Sequence, residues 1–340
     1  MRRSLAWLIL FTMLLAACGG SRHPDHEQVS PNERIVIKFS HVVAENTPKG
    51  LAARRFAAIM KERTGGRVEV QVFPNSQLYG DGEEVSRLRS NDVQMIAPSL
   101  SNLSDWDPLW QVFDLPYLFD DEQGVDRVVT GSTGQQLYAG LRRLDMEPIA
   151  FWQNGFKHFT NSRGSLLLPD QFKGLRFRTQ PSPVMRDALR LLGAESSYRT
   201  FDAIYTALAS RELDGQENTP SNMYSKRIYE VQPYMTLSSH GYLGYVVLVN
   251  ATFWNSLPPD LRETMREAMA DTTQWVRENA ARLNAEALER IEAGGKVIIH
   301  RQTVNEREFW RQAMEPAYRL AGERVGADAV ARVIREARGE

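Results

Sequence analysis

The sequence has a single cysteine, Cys18, among its 340 residues. No disulfide can therefore form within the chain, and no other thiol is present to act as a nucleophile or a metal ligand. The chain also has almost no net charge, because 41 basic residues stand against 42 acidic ones. Nucleic-acid-binding proteins rely on an excess of Lys and Arg to displace counterions from phosphates, so this balance argues against a nucleic-acid partner.

The motifs of common enzyme classes are also missing. The sequence contains no GxSxG, HExxH, Walker A or GxGxxG pattern. Neighbouring acidic residues such as Glu83 and Glu84, or Asp120 and Asp121, lie beside turn and helix signals, where solvated caps are expected. We therefore predict no catalytic residue, no metal site and no cofactor. Two carboxylates brought together only by the fold would escape this search, so a secreted hydrolase of anionic substrates remains an alternative.

The N-terminus carries the one apolar run that suits a targeting segment. Arg2 and Arg3 precede residues 5–15, which are apolar but too few to span a bilayer comfortably. The run ends in LAAC, which resembles the cleavage box of bacterial lipoproteins. The sequence therefore predicts a signal peptide over residues 1–18, lipidation of Cys18 and a flexible tether over residues 19–33. An ordinary secretory signal with an incidental cysteine is the alternative. We expect a periplasmic or extracytoplasmic protein that its lipid anchors to the membrane.

Short apolar segments alternate with helical patterns through the rest of the chain. Strands are predicted at residues 35–40, 67–73, 93–97, 148–152, 175–178, 245–249 and 296–300. A long helix is predicted over residues 259–293, because residues 260–293 contain neither Pro nor Gly and repeat apolar residues every three or four positions. At about 50 Å it could brace two lobes; two helices broken near Thr272 are the alternative. The pattern predicts the α/β class, with largely parallel sheets and two domains.

Three separated segments carry side chains that suit a carboxylate. They are NGFKH with Lys157, KGLRFRTQPSP with Arg178 and LDGQENTPSNMY with Asn218. Arg presents a planar fork of N–H donors that matches the two oxygens of a carboxylate, Lys adds a mobile point charge, and Asn donates and accepts. In an exported protein this set predicts a socket for a small organic acid, and hence a receptor rather than an enzyme.

Seven segments, in order along the chain, resemble one known family. They are KFSHVVAENTPKG (38–50), VFPNSQLYGDGEE (72–84), VQMIAPSLS (93–101), FDLPYLFDD (113–121), NGFKHFTNSR (154–163), KGLRFRTQPSP (173–183) and LDGQENTPSNMYSKRIYEVQPYM (213–235). The chain after the tether is similar to solute-binding proteins of tripartite ATP-independent periplasmic (TRAP) transporters, and within them to the C4-dicarboxylate-binding branch. The resemblance implies two α/β domains, joined by crossing strands and a long helix, that clamp a ligand between them. It also implies a receptor, without catalysis or cofactor, that delivers an organic acid to a permease driven by an ion gradient.

The ligand implied by the resemblance is a C4-dicarboxylate such as succinate, fumarate or malate. A sugar acid, a keto acid or sialic acid remains an alternative, and a ligand-sensing partner of a membrane kinase would have the same site. The expected periplasmic-binding-protein-like clamp divides into residues 34–154 with about 245–283, and residues 155–244 with about 284–340. We expect a monomer whose partners are the organic acid and the membrane subunits of a TRAP permease.

The resemblance also implies ligand-binding residues. The family's carboxylate-binding arginine, at the end of the strand in KGLRFR, falls on Arg178, although strand alternation alone would leave Arg176 equally placed. The family's second cationic position falls on Lys157, and the Asn of DGQEN falls on Asn218. For each of these the alternative is structural: a surface cation for Arg178 or Lys157, and a helix cap for Asn218.

Five further residues are expected around this set. Ser99 ends the segment VQMIAPS, which faces the ligand in the family, and Phe201 corresponds to an apolar wall of the cleft. Lys49 and His41, in the first strand–helix loop, and His240 are candidates for contact with the second carboxylate. A place in the core is the alternative for Phe201, and a structural role is the alternative for each histidine.

Overall fold

The computed structural model describes residues 34–340. The predicted signal peptide (1–18), the lipidation of Cys18 and the tether (19–33) lie outside the described residues. Among the helices of residues 34–340, none is both long and apolar enough to cross a bilayer. These residues form the α/β arrangement that the alternation of strand and helix signals predicts.

Nine strands in the described part of the chain form one mixed sheet. They are β1 (Ile35–Ser40), β2 (Val68–Phe73), β3 (Met95–Ile96), β4 (Met146–Asn161), β5 (Arg176–Thr179), β6 (Glu195–Tyr198), β7 (Gly215–Asn218), β8 (Tyr234–Asn250) and β9 (Ile298–Arg301). Their order is β2-β1-β3-β8-β4-β7-β5-β6, and β9 pairs with β8. Strand β1 is parallel to β2 and β3 on one side, and β5 is parallel to β6 and β7 on the other. We call these two groups, with their loops, the first lobe and the second lobe.

Two long strands connect the lobes. Strands β4 and β8 run antiparallel through the middle of the sheet, and β7 and β3 are antiparallel to them. The prediction of largely parallel sheets is therefore correct for the flanks and wrong for the centre. The sequence predicts only 148–152 and 245–249 of these strands, because the remainder of each mixes polar, aromatic and glycine residues. It does not predict β6 or β7, whose segments ESSY and GQEN are polar.

Twelve helices within residues 34–340 accompany the sheet. They are α1 (Pro48–Arg63), α2 (Glu84–Arg89), α3 (Glu122–Thr130), α4 (Ser132–Arg143), α5 (Pro183–Leu191), α6 (Ile204–Ala209), α7 (Pro220–Ser225), α8 (Ala251–Ser256), α9 (Pro259–Ala293), α10 (Val304–Met314), α11 (Pro316–Val325) and α12 (Ala327–Arg338). Short 3₁₀ turns occur at Leu100–Leu103, Pro108–Asp114, Pro169–Phe172 and Ile228–Glu230. Helix α1 begins where the Thr47 side chain accepts a hydrogen bond from the Gly50 amide, with Pro48 in the first turn. This cap fixes the position of Lys49.

Helix α9 is continuous over its 35 residues and is not broken near Thr272. It begins with Pro259 in its first turn and ends before Gly294. Met265 packs in the core under the first lobe, whereas Ile291 packs in the core of the second. At 1.5 Å per residue the helix is about 52 Å long, enough to reach from one lobe to the other. The predicted brace is therefore confirmed.

Asn284 of α9 forms hydrogen bonds at the place where β4 passes between the lobes. Its Nδ2 donates to the carbonyl of Asn154 on β4 at 2.8 Å, and its Oδ1 accepts from the amide of Ser221 in α7 at 3.0 Å. The neighbouring Gly155 has a φ of 150°, a conformation that L side chains rarely adopt. Helix α9 is thus bonded to a central strand and to the helix that follows β7.

The C-terminal helices contact both lobes. Trp310 of α10 packs beside Phe177 of β5 in the core of the second lobe. Val333 of α12 packs with Val125 of α3 and Leu137 of α4, which follow the first lobe in the chain. The implied domain boundaries group all of residues 284–340 with the second lobe, and that division stays a prediction.

The tight packing of β7 yields a stability test. A Cβ at Gly215 would lie 2.5 Å from Phe177 Cε1 and 2.5 Å from the Thr160 carbonyl oxygen. We expect Gly215→Ala to lower the free energy of unfolding by about 1–3 kcal/mol, because neither neighbour can withdraw without disturbing the sheet. Urea unfolding followed by circular dichroism measures this change. Gly164→Ala is the control, since nothing lies within 4 Å of that Cβ; equal stability of the two variants would contradict the packing described.

Candidate functional site

A cavity lies between the two lobes, beside the central strands. Its volume is about 290 Å³, including the space at its opening. It is lined by Val42, Val43, Lys49, Asp81, Ser99, Arg178, Gln180, Phe201, Asn218, Asn222, Leu243 and Tyr245. Both lobes contribute to the wall, so a molecule held here would contact both. Eleven of these twelve residues are buried, so a small molecule held here would be nearly enclosed by protein.

Arg178, near the end of β5, is a buried cation of the wall, with 2% of its surface exposed. Its Nε donates to the Arg199 carbonyl at 2.8 Å. Its two terminal nitrogens donate to no residue within 34–340, and no carboxylate in that range forms an ion pair with it. Burial lowers the pKa of Arg178, although Asp81 and Glu217 partly oppose this effect. The wall therefore presents a fork of free donors and a positive charge without a direct counter-ion.

Lys49, in the first turn of α1, is a second cation of the wall. Its Nζ donates to the Ala97 carbonyl at 2.9 Å and lies 3.9 Å from the centre of the Tyr245 ring. Burial lowers the pKa of Lys49 to about 8, while the carboxylates of Glu84 and Asp81 act in the opposite direction. An ammonium has three N–H donors and only the Ala97 carbonyl accepts from this one among the described residues, so Lys49 has donors to spare.

Asn218, at the end of β7, lines the cavity and bonds to the start of the next segment. Its Oδ1 accepts from the Thr219 amide and from Asn222 Nδ2, each at 2.9 Å. These two bonds orient the carboxamide, so that Nδ2 is left as a donor toward the cavity. Asn222 Nδ2 also approaches the Tyr245 hydroxyl at 3.4 Å. The N-cap of the following helix is Thr219, and no side-chain cap hydrogen bond is present there, so the capping alternative for Asn218 is not observed.

Ser99 and Phe201 also lie in the cavity wall. Ser99 Oγ accepts from Gln180 Nε2 of the second lobe at 2.6 Å, which leaves its own hydroxyl proton to donate. Phe201 is 6% exposed and forms an apolar part of the wall together with Val43 and Leu243. An apolar wall beside charged donors excludes water and strengthens the hydrogen bonds that a ligand makes.

Sequence analysis missed four polar residues of the wall. They are Asp81, Gln180, Asn222 and Tyr245. Three of them lie inside or beside segments that carry the family resemblance, which was the available signal. Asp81 accepts hydrogen bonds from residues 21 and 120 positions away, so no local pattern reports its surroundings.

Two predicted histidines do not reach the cavity wall. His41 is buried, and burial together with the charge of Lys49 lowers its pKa to about 3, so its ring is neutral. The ring of His240 stacks on Phe159 with centroids 3.9 Å apart, and its Nδ1 lies 2.7 Å from Ser238 Oγ. Both rings are buried here and neither lines the cavity, so the expected contact of each with the second carboxylate stays a prediction.

Lys157 also lies away from the cavity wall, in a buried ion pair. Its Nζ is 2.8 Å from Glu217 Oε2 and 3.9 Å from Asp114 Oδ1. Burial alone would lower the pKa of Lys157, but the two carboxylates reverse the effect and raise it. In place of the predicted ligand contact, the ammonium is engaged with carboxylates of the protein itself. Lys49 supplies the second cation of the cavity instead.

Residues 39–324 match the family model of the bacterial extracellular solute-binding proteins, family 7 (DctP). The chain belongs to this family. The C4-dicarboxylate-binding protein DctB of Bacillus subtilis (strain 168) is 43% identical over 295 residues, which cover 87% of this chain and 84% of that protein. The membership that the seven segments indicate is therefore confirmed.

Solved structures of TRAP periplasmic solute-binding proteins share the fold. One from Shewanella oneidensis, with bound succinate, has a TM-score of 0.86 and 38% identity, and covers 89% of this chain and 99% of its own. Another from Pseudomonas aeruginosa PAO1, with bound L-malate, has a TM-score of 0.81 and 38% identity, and covers 84% and 99% respectively. The predicted α/β clamp is thereby confirmed.

Among the described residues, this family 7 chain has three buried cations, Lys49, Lys157 and Arg178, and the surroundings of the last two differ. Arg178 lines the cavity and has no paired carboxylate among the described residues, whereas Lys157 is matched by Glu217. Burial would raise the pKa of Glu217, but Lys157 and His240 outweigh it and the pKa falls to about 2. The Lys157–Glu217 pair therefore stabilises the second lobe beside the cavity and depends on pH.

The pH dependence of this pair can be measured. Glu217→Gln should lower the free energy of unfolding by about 3 kcal/mol at pH 7, because it leaves the buried Lys157 with only the more distant carboxylate of Asp114, 3.9 Å away. The pKa of Glu217 lies below its unfolded value of 4.5, so the wild type keeps this stabilisation above about pH 4.5 and loses it towards pH 2. The difference between the two proteins should therefore shrink on acidification.

Urea unfolding at pH 7, 4.5 and 3 tests this expectation. The control is Glu212→Gln, which removes an exposed pair with Arg199 and should change stability by less than about 1 kcal/mol at every pH. A difference between wild type and Glu217→Gln that does not change with pH would contradict the assignment.

Proposed function

We propose that this protein is an extracytoplasmic receptor for a small organic acid, best suited to a C4-dicarboxylate such as succinate, fumarate or malate. It delivers the acid to a TRAP permease driven by an ion gradient. The observation that carries the proposal is the buried Arg178, whose terminal nitrogens are free on the wall of a small cavity. The succinate and malate bound by similar solute-binding proteins support the choice of acid.

Arg178 suits one carboxylate of the ligand. Its guanidinium offers parallel N–H donors with the spacing of two carboxylate oxygens, and a bidentate pair is both stronger and more directional than a single contact. The Asn218 amide and the Ser99 hydroxyl supply further donors on the same wall. Because the cavity is largely shut off from water, each charge-assisted hydrogen bond is stronger than it would be at the surface.

Lys49 suits the second carboxylate. It belongs to the first lobe, while Arg178 belongs to the second, and both line one cavity. A dicarboxylate held by both cations therefore joins the lobes through its own charges. The ligand shifts the equilibrium between open and closed forms only to the extent that it binds the closed form better. Contacts from both lobes provide this difference.

The proposed receptor acts by binding and release, without chemical change of its ligand. The family's description as solute-binding proteins supports this role, and so does a cavity lined by hydrogen-bond donors. Attachment to the outer face of the membrane through a lipid on Cys18, and action as a monomer, are parts of the same proposal. Incubating the protein with its acid and recovering the acid unchanged distinguishes a receptor from a hydrolase.

The anchoring role of Arg178 is testable by substitution. Arg178→Ala should weaken the binding of succinate or malate at least 30-fold, because removal of one partner of a buried charged pair costs about 2–5 kcal/mol. Isothermal titration calorimetry measures the dissociation constant, after a thermal-shift screen of C4-dicarboxylates, sugar acids, keto acids and sialic acid has found the tightest ligand. Arg176→Ala is the matched control, because Arg176 lies two residues away and pairs with Asp214. Near-native affinity in Arg178→Ala would refute the assignment.

The role of Lys49 predicts a different pattern of loss. Lys49→Met should weaken a dicarboxylate more than a monocarboxylate of similar size, by about tenfold or more, because only the former has a second charge to pair. Lys61→Met, an exposed lysine of the same helix, is the control and should leave both affinities unchanged. Equal losses for the two ligands would show that Lys49 does not contact the second carboxylate.

A further inference from the structure

A carboxylate stands in the wall of the cavity, where it opposes the entry of an anion. Asp81 follows β2 in the first lobe, is 8% exposed and lines the same cavity as Arg178 and Lys49. The negative charge of Asp81 repels an anion that enters the cavity, because like charges in a partly desolvated space repel one another. In a receptor for an organic acid, the position of Asp81 therefore requires an explanation other than direct ligand attraction.

The hydrogen bonds of Asp81 point to such an explanation. Its Oδ1 accepts from Asn102 Nδ2 of the first lobe at 3.1 Å. Its Oδ2 accepts from the backbone amide of Phe201, which follows β6 in the second lobe, at 2.7 Å. One oxygen thus holds the side chain within its own lobe, and the other binds the main chain of the opposite lobe.

The surrounding contacts belong to the same seam between the lobes. A Cβ at Gly82 would lie 3.7 Å from Tyr198 Oη, so the loop that carries Asp81 touches the end of β6. Gln180 Nε2 of the second lobe donates to Ser99 Oγ of the first at 2.6 Å. The Asp81 bond differs from this one because its acceptor is charged and its donor is a backbone amide, a stronger combination than two neutral side chains.

We propose that Asp81 is a positioning residue for closure. Its carboxylate accepts the Phe201 amide only when the two lobes meet, so it favours the closed form for any ligand while weakening the attraction for negative charge. The proposal rests on the function proposed above and adds to it a bond between the lobes that does not pass through the ligand. It predicts that affinity depends on Asp81 through the lifetime of the closed complex.

Two substitutions separate the hydrogen bond from the charge. Asp81→Ala removes both, whereas Asp81→Asn removes the charge and keeps an oxygen that can accept from the Phe201 amide. We expect Asp81→Ala to increase the dissociation rate constant about 10- to 100-fold, the range of a lost charged hydrogen bond, with little change in the association rate constant. The factor should be smaller for a dicarboxylate than for a monocarboxylate, because the repulsion that is also removed is larger for the ligand with two charges. Asp81→Asn should lose affinity by a smaller factor than Asp81→Ala.

Stopped-flow fluorescence with succinate and with a monocarboxylate gives the two rate constants. Asp202→Asn is the control, since Asp202 is an exposed carboxylate beside Phe201 and should leave both rates unchanged. The proposal is overturned if Asp81→Ala binds as tightly as the wild type or more tightly, because repulsion would then be the whole effect of Asp81. It is also overturned if the unliganded variant melts several degrees below the wild type and the dissociation rates do not change.

Amide hydrogen exchange provides a readout that does not depend on the identity of the ligand. The Phe201 amide should be protected in the wild type and in Asp202→Asn, and should lose protection in Asp81→Ala while the strands β4 and β8 keep theirs. Unchanged protection of Phe201 overturns the closure role. If no organic acid binds the wild type, the proposed function fails, yet this exchange measurement still decides whether Asp81 joins the lobes.

Discussion

Burial of a guanidinium without a counter-ion destabilises a folded protein. Arg178 is such a group, and its neighbours hold it in place. Its Nε is bonded to a backbone carbonyl, which fixes the plane of the group and leaves the terminal nitrogens on the cavity wall. The same cavity is also lined by the oriented amide of Asn218, the hydroxyl of Ser99 and the apolar ring of Phe201. An anion entering there relieves an unfavourable charge and satisfies donors that the fold has already positioned.

The contrast with Lys157 shows that burial of a cation does not by itself mark a ligand site. Lys157 and Arg178 are each 2% exposed, and they lie on strands separated only by β7. Adjacent residues of β7 give the two cations different surroundings, because successive side chains of a strand point to opposite faces. Glu217 points to Lys157 and neutralises it, while Asn218 points to the cavity and adds a donor. One four-residue strand thus completes a structural pair on one face and a binding wall on the other.

Features that are encoded within one continuous segment could be predicted from the sequence. The long helix was predicted with its bounds, because its start, its end and its apolar spacing are encoded within the segment itself. Of the eight predicted ligand residues, Arg178, Asn218, Ser99, Phe201 and Lys49 line the cavity. Lys157, His41 and His240 do not, and the reason is non-local: the partner of Lys157 comes from β7, about 60 residues away, and no spacing rule reports a cross-strand carboxylate.

Asp81 affects the affinity for the ligand in two opposite ways. Its charge reduces the net positive charge of the wall from the two of Lys49 and Arg178 to one, which limits the attraction for a dianion. Its hydrogen bond to Phe201 holds the lobes together whatever the ligand is. The free energy of binding in such a clamp is the sum of a contribution from contacts with the ligand and a contribution from closure. Only the first contribution depends on the charge of the acid. A receptor that must release its ligand to a membrane partner gains from this division, because a partner that separates Asp81 from Phe201 lowers affinity without competing for Arg178.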